Sequence, residues 1–481
     1  MRNSLALIAI AVFTAMAAVA ADAPSGTGAK WTIHEWGTFT SLQDESGNAV
    51  GGINTDDEPV PKFVHRYADF VLLTPTQVPA IFFQGAPSCH PEVTMRLETP
   101  VLYFHPPASQ PKAEGVNVKA TFRGGWLTEY FPAADATAPG VQQGSSGGFG
   151  HLTAKTVSTL LWKDLQVGGT WAGPATDQHV WTAPRAVDAA SVLGMGNEAE
   201  KFLFYRGVAH IDAPIRVVQE SGGTQLVLKS QWSPAVQDKA IKIRSLWLVD
   251  IREDGKIAFS SVPSLGLGGA APGVVRTPGT FHSADYSADN LAKLKATLHG
   301  ALVAEGLFSD EANALLNTWE LSYFKSAGTR LFFLVPQAWT DSYLPLEVSV
   351  PSAITRVMVG RIELVTPKER NILAQIGRKS AQTITNDAIQ LQKDFYAGIA
   401  AKGDKLGAVD EGRISLAEFG VAIPDSYKLY LRLGRFRNAL ALDEEKRHPT
   451  EGLGQMISTY RLEGYVPAET SGELHASATG L

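Results

Sequence analysis

The chain has 481 residues, 44% of them hydrophobic and 19% charged, with a formal net charge of −6; this length exceeds one small core and predicts two domains, or one large β-rich domain with an appendage. An ordinary globular composition with no basic excess excludes a nucleic-acid-binding surface. Cys89 is the only cysteine, so no intrachain disulfide forms, and 45 glycines with 27 prolines point to many turns between strands.

The first residues, MRNSLALIAIAVFTAMAAVA, combine Arg2, an apolar run from Leu5 to Val19 and the small-residue site Ala18-Val19-Ala20. This is the pattern of a secretory signal peptide over residues 1–20, and it predicts a periplasmic or extracellular protein. Only Arg2 precedes the apolar run and no cysteine sits at the cleavage site, so neither a twin-arginine signal nor a lipid anchor is expected. Later apolar runs such as Leu331–Val335 are far shorter than the ~18 residues of a spanning helix, so no membrane span is expected in the mature chain.

From residue 21 to 281 the chain alternates short apolar runs with turn residues, as in "WTIHEWGTFTSL", "MRLETPVLYFH", "GWLTEYF", "KFLFYRGVAHI" and "IRSLWLVDIRE". Period-two runs at this spacing predict an antiparallel, β-sandwich-like body. "VQESGGTQLVL" is expected to turn at Gly222-Gly223 and "DIREDGKIAF" at Asp254-Gly255. Pro132–Gly150 reads as a polar loop and Ser261–His282 as a Gly/Pro-rich connector that carries the main boundary.

Residues 282–366 change period. Leu291, Leu294, Leu298 and Leu302 lie at helical spacing, with Ser287 as cap and Gly306 as stop; Ser309 is expected to cap a second helix with acids in its first turn. "TRLFFLVP", "YLPLEVSV" and "TRVMVGRIELV" return to strand, read as a mixed segment packed on the β body. From Pro367, which suits a first helical turn, residues 367–481 are mainly helical. The fold class is therefore α+β and β-rich, with a helical C-terminal region leaning on the sheet because its faces are too weakly apolar to stand alone.

Candidate sites begin with Ile33–Thr40, "IHEWGTFT". A zinc-protease helix needs a second histidine four residues after His34, where Thr38 stands. Read as a strand, the segment places Trp31, Ile33, Glu35, Gly37 and Phe39 on one face and His34, Trp36, Thr38 and Thr40 on the other, so His34 and Glu35 diverge. A carboxylate beside Ile33 and Phe39 needs a partner, and the expected one is Arg206, giving a structural ion pair Glu35–Arg206. Glu98 and Glu129 lie in similar aromatic strands. With Glu35 they form the alternative, a secreted glycosidase-like hydrolase whose paired carboxylates stand about 5.5 Å apart or wider.

Asn54, Asp56, Asp57 and Glu58 cluster oxygen ligands on a turn and make calcium a possible cofactor. Gly144–Gly148 matches the serine-hydrolase G-x-S-x-G formally around Ser146, but no strand–turn–helix surrounds it. Cys89 and His90, neighbours in extended chain, point apart. The remaining histidines, among them His65, His105, His151 and His210, have no ligand spacing, and each reads singly as structural.

"HEWGTFTSL", "ETPVLYFH", "EKFLFYRGVAH" and "VGRIELVTP" together resemble a group of exported bacterial proteins with an N-terminal HEWGTFT motif. The resemblance implies a bacterial envelope setting and carries over no activity and no site residue. The expected function is binding or a structural role at the envelope or outside the cell, with an envelope component or a glycan as partner.

Overall fold

A computed structural model of the chain describes residues 30–55, 60–67, 82–143, 148–231, 241–268, 273–402, 421–469 and 472–477. Nine principal strands carry the fold: β1 (Trp31–Gln43), β2 (Met95–His105), β3 (Gly125–Phe131), β4 (Val157–Gly169), β5 (Leu203–Ala209), β6 (Leu246–Ile251), β7 (Ile257–Val262), β8 (Gly328–Val335) and β9 (Ser352–Leu364). They lie side by side in the order β4-β3-β5-β2-β1-β9-β8-β6-β7, with shorter strands extending the sheet. β1 is central, antiparallel to β2 and parallel to β9 over thirteen register pairs from Trp31↔Ser352 to Gln43↔Leu364.

Both faces of this sheet are covered, which explains why its middle strands are apolar on successive residues rather than alternately. In β8, Leu331 and Phe333 enter one apolar layer while Phe332 and Leu334 enter the other. The second layer is closed by helices α1 (Asn290–Ala304) and α2 (Ser309–Thr318), which lay Leu294, Leu298, Leu302 and Leu315 against Trp36, Val101, Tyr103 and Val359. The first layer continues into α3 (Pro367–Gly377) through Ile372, Leu373 and Ile376, and into α5 (Arg437–Arg447), the second helix after the long α4 (Ala381–Lys402), through Leu440.

The fold is thus α+β, strand-rich and helical toward its C-terminus, as expected from the sequence. Both hairpins form at the expected turns, where Gly222, Gly223 and Gly255 all have positive φ. Helix α1 starts later than expected, with Asp289 at its N-cap, because Ser287 exchanges backbone hydrogen bonds with Ile257 at the sheet edge. Thr366 caps α3 with Pro367 in the first turn.

The segment 282–366 does more than pack on the β body. Its strands β8 and β9 complete the sheet, and β9 is the parallel neighbour of β1. Pro132–Gly150, expected as loop, contributes the strand Asp135–Pro139, which buries Ala136 and Ala138 and pairs with β4 and with Glu473–Ala476. The proposed signal peptide and Ser146 lie outside the described residues. Among the described residues no helix is long and apolar enough to cross a membrane.

β5 is bulged at Arg206/Gly207, and a Cβ on Gly207 would stand 2.0 Å from the Trp126 carbonyl oxygen, which the sheet holds in place. Gly207→Ala is expected to lower stability by at least about 2 kcal/mol through this backbone clash. A urea midpoint shift with unchanged slope would show it, and an unchanged midpoint would refute the account.

Candidate metal centre

Three segments remote in sequence bring ligand-type side chains together on the helical face of the sheet. His34 projects from β1 on the side of Trp36, and the antiparallel register pairs Thr32 with His105, so the two histidines are diagonal neighbours on one face. Their rings are 5.2 Å apart between centroids. Glu311, in the first turn of α2, reaches down between them: His34 Nδ1 lies 2.7 Å from one carboxylate oxygen and His105 Nε2 2.9 Å from the other. The three ligand atoms fall within 4.8 Å of one another.

Glu311 holds a second task, accepting the Phe308 backbone N–H at 2.7 Å and so closing the N-terminus of α2. Burial alone would raise its pKa, but hydrogen bonds from His105, His34 and Phe308 outweigh burial and hold it below the ordinary carboxylate value. The Phe308 ring covers both imidazoles at 4.6 and 4.8 Å while staying 46% exposed. His34 and Glu311 are buried, and His105 keeps partial access to solvent.

Two imidazoles and one carboxylate form a ligand set that suits zinc or ferrous iron. Bonds of about 2.0–2.1 Å in tetrahedral geometry separate ligand atoms by roughly 3.3 Å. The carboxylate contacts of 2.7 and 2.9 Å are shorter than this and the whole set spans up to 4.8 Å, so the side chains would readjust to admit an ion.

On the opposite face Glu35 is buried in an ion pair, but its partner is not Arg206. Arg356 stands directly beside it in the parallel register and donates from Nε at 2.5 Å, and the Tyr205 hydroxyl, reaching across β2, donates to the other oxygen. Arg356 also meets Asp341 at 2.9 Å. Alternation explains the correction: Tyr205 takes the side facing Glu35, which turns Arg206 the other way, where Glu129 opposes it in register and pairs with it.

Glu98 has its own partners, Arg435 Nη2 at 2.7 Å, Arg96 Nε at 3.3 Å, and the hydroxyls of Thr40 and Tyr323 at 2.7 and 2.9 Å. The glycosidase-like arrangement is therefore not formed: all three glutamates are buried, each against different arginines, with Glu35 and Glu98 on opposite faces of the sheet. Asn54 does not face a metal ligand group, since its amide donates to the carbonyls of Ala86 and Pro87 inside the protein; Asp56, Asp57 and Glu58 lie outside the described residues. Cys89 is buried and its thiol pKa is pushed up by burial, which suits a packing residue.

Sequence reasoning missed His105 and Glu311 as partners of His34. The nearest signal was His105 at the end of a strand that pairs with β1; no spacing rule reveals that α2 then delivers a carboxylate to the same spot.

Two outcomes test these assignments. Glu35→Gln should cost on the order of 3–5 kcal/mol, and in double-mutant cycles it should couple strongly to Arg356→Gln and negligibly to Arg206→Gln. The reverse pattern would restore the Arg206 pairing. Glu98 behaves as a pH-dependent prop. Burial opposes its ionisation, yet the guanidiniums of Arg435, Arg96 and Arg361 lower its pKa from the ordinary 4.5 to about 2. A depressed folded value gives stability that is complete above 4.5 and lost as pH falls from 4.5 toward 2, on the order of 3 kcal/mol. Urea titrations across that window should show a steep loss in the parent and a shallow one in Glu98→Gln.

No family model matches this chain, and no curated protein matches it. Among solved structures it is similar to the Fcho1 Mu homology domain of Danio rerio with bound Eps15 peptide, at TM-score 0.25 and 8% identity over 70% of this chain and 95% of that one, a superposition too loose to support any argument about fold or function.

Proposed function

We propose that this is an exported bacterial protein that holds a divalent transition metal at His34, His105 and Glu311 and acts by binding a component of the cell envelope. The observation that carries the metal is the convergence within 4.8 Å of two imidazole nitrogens and an ionised carboxylate from three distant segments. Nitrogen ligands favour zinc or ferrous iron over calcium, which prefers an all-oxygen shell. Export is supported by the N-terminal pattern of Arg2 and the apolar run, and by the HEWGTFT resemblance. A glycan partner loses its main support, since eight of the ten tryptophans are buried in the two apolar layers rather than presented for stacking.

The ion's structural effect follows from the ligand positions. It would fasten α2 to β1 and β2, so binding free energy becomes stability of the helical layer. Elemental analysis of purified protein should find about one equivalent of zinc or iron, and a chelator should lower the melting temperature of the parent. His105→Ala and Glu311→Gln should contain no metal and melt independently of chelator. A metal-free protein whose melting ignores added zinc and ferrous iron would reduce the cluster to a hydrogen-bonded clamp and end this proposal.

A further inference from the structure

Three protein atoms do not complete the shell of a zinc or ferrous ion. Zinc takes four ligands or more, and sites that keep one position for an exchangeable molecule are built from three side chains of this kind. Among the described residues the cluster of His34, His105 and Glu311 contains no fourth histidine, cysteine or carboxylate. The next ligand must therefore come from solution.

The sheet shows from which side it would enter. Along the helical face of β1, exposure rises toward the start of the strand: Trp36 and His34 are buried and Thr32 is half-buried. β9 repeats this at the aligned positions, with Val357 buried, Thr355 half-buried and Ala353 exposed. His105, opposite Thr32, is half-buried as well. The ligand set thus lies where the helical layer ends, closed on the side of Trp36 and Tyr103 and open on the side of Thr32. Phe308 borders this opening. Its ring packs on both imidazoles yet is exposed, so an aromatic surface lies bare beside the ligand atoms. Its backbone is fixed at both ends of the residue, the N–H to Glu311 at 2.7 Å and the carbonyl accepting from Ala312 at 3.0 Å, which holds the ring at the site.

Charge narrows the choice of ligand. An ion of charge +2 is met by Glu311 and by the neighbouring Asp310, whose carboxylate oxygens accept from the backbone N–H groups of Asp188 and Glu311. Counting both carboxylates, the ion is just neutralised, so a doubly charged anion such as phosphate finds no surplus of positive charge. A singly charged carboxylate meets less repulsion and is itself a good ligand for zinc or iron.

We propose that the centre binds, as its exogenous ligand, the carboxylate of a small apolar monocarboxylic acid whose apolar group lies against Phe308. This inference rests on the metal reading of His34, His105 and Glu311. Phe308 would then set which acids are preferred, by burying their apolar part against its bare face.

The full-length protein loaded with cobalt(II), whose visible absorption reports its coordination, tests both readings separately. Cobalt bands that are present in the parent and absent in His105→Ala establish the metal; without such bands the metal reading fails and this one with it. Sodium benzoate and sodium acetate are then added at ionic strength matched by sodium chloride. Both should shift the bands saturably, with benzoate half-saturating at a concentration at least about tenfold lower than acetate. Phe308→Ala should keep the cobalt bands and bring the two acids to within about twofold of each other; if that variant loses its cobalt, Phe308→Leu, which keeps an apolar side chain without the ring, should show the same narrowing. Cobalt bands that neither acid shifts, or a benzoate preference unchanged in the Phe308 variant, would overturn the proposal while leaving the metal centre standing.

Discussion

A strand buried on both faces must find a partner for every polar side chain it carries, and β1 carries several. His34 and Glu35 are 3% and 0% exposed, and Thr38 and Thr40 are equally enclosed. None can turn to water, so each dictates what stands across from it. Glu35 requires Arg356, which fixes the register of β9; His34 requires Glu311, which fixes where α2 lands; Thr40 joins Glu98 and Tyr323, which ties β2 to the helical layer. An apolar strand tolerates a slip of two residues with modest loss, whereas here a slip would leave ions unpaired in the interior. Specificity of pairing, rather than net stabilisation, is what these charges contribute most clearly.

The four segments that carry the resemblance noted in the sequence are β1, β2, β5 and β9, adjacent strands at the middle of the sheet. Between them these segments hold Glu35, Glu98, Arg206, Arg361 and Glu363, and the same strands add Arg96 and Arg356, all buried. A motif such as HEWGTFT is thus explained first as one quarter of an interlocking charged core. The candidate metal centre of His34, His105 and Glu311 then sits at one end of the same strand group, where the sheet meets its covering helices.

Local physics was readable from the residues alone. The two Gly-containing hairpins, the leucine spacing of α1, the placing of Pro367 in the first turn of α3 and the divergence of His34 from Glu35 all depend on periodicity or turn chemistry within a short window. What escaped was set by pairing across hundreds of residues. Arg206 and Arg356 sit in equally apolar strand sequences, and only the parallel alignment of β9 with β1 chooses between them. Likewise nothing local to "FSDEANALL" announces that Glu311 meets two histidines; that follows from how α2 crosses the sheet. The Gly/Ser-rich stretch after Pro132 hid a strand because its buried positions, Ala136 and Ala138, are small and alternate with half-buried Asp135, Thr137 and Pro139, with no bulky apolar residue to mark them.

The parallel pairing of β1 with β9 joins Trp31 to Ser352, so 321 residues of chain separate the two strands. In a chain that emerges N-terminus first, β1 and β2 are therefore available well before β9. During that interval β2 can already protect one edge of β1, while the other stays open as a template for foreign strands. That waiting edge carries Glu35, an uncompensated charge at its middle. The residue that later locks the correct neighbour in place is, until then, a deterrent to wrong ones, since any strand docking without a matching cation would bury a lone carboxylate.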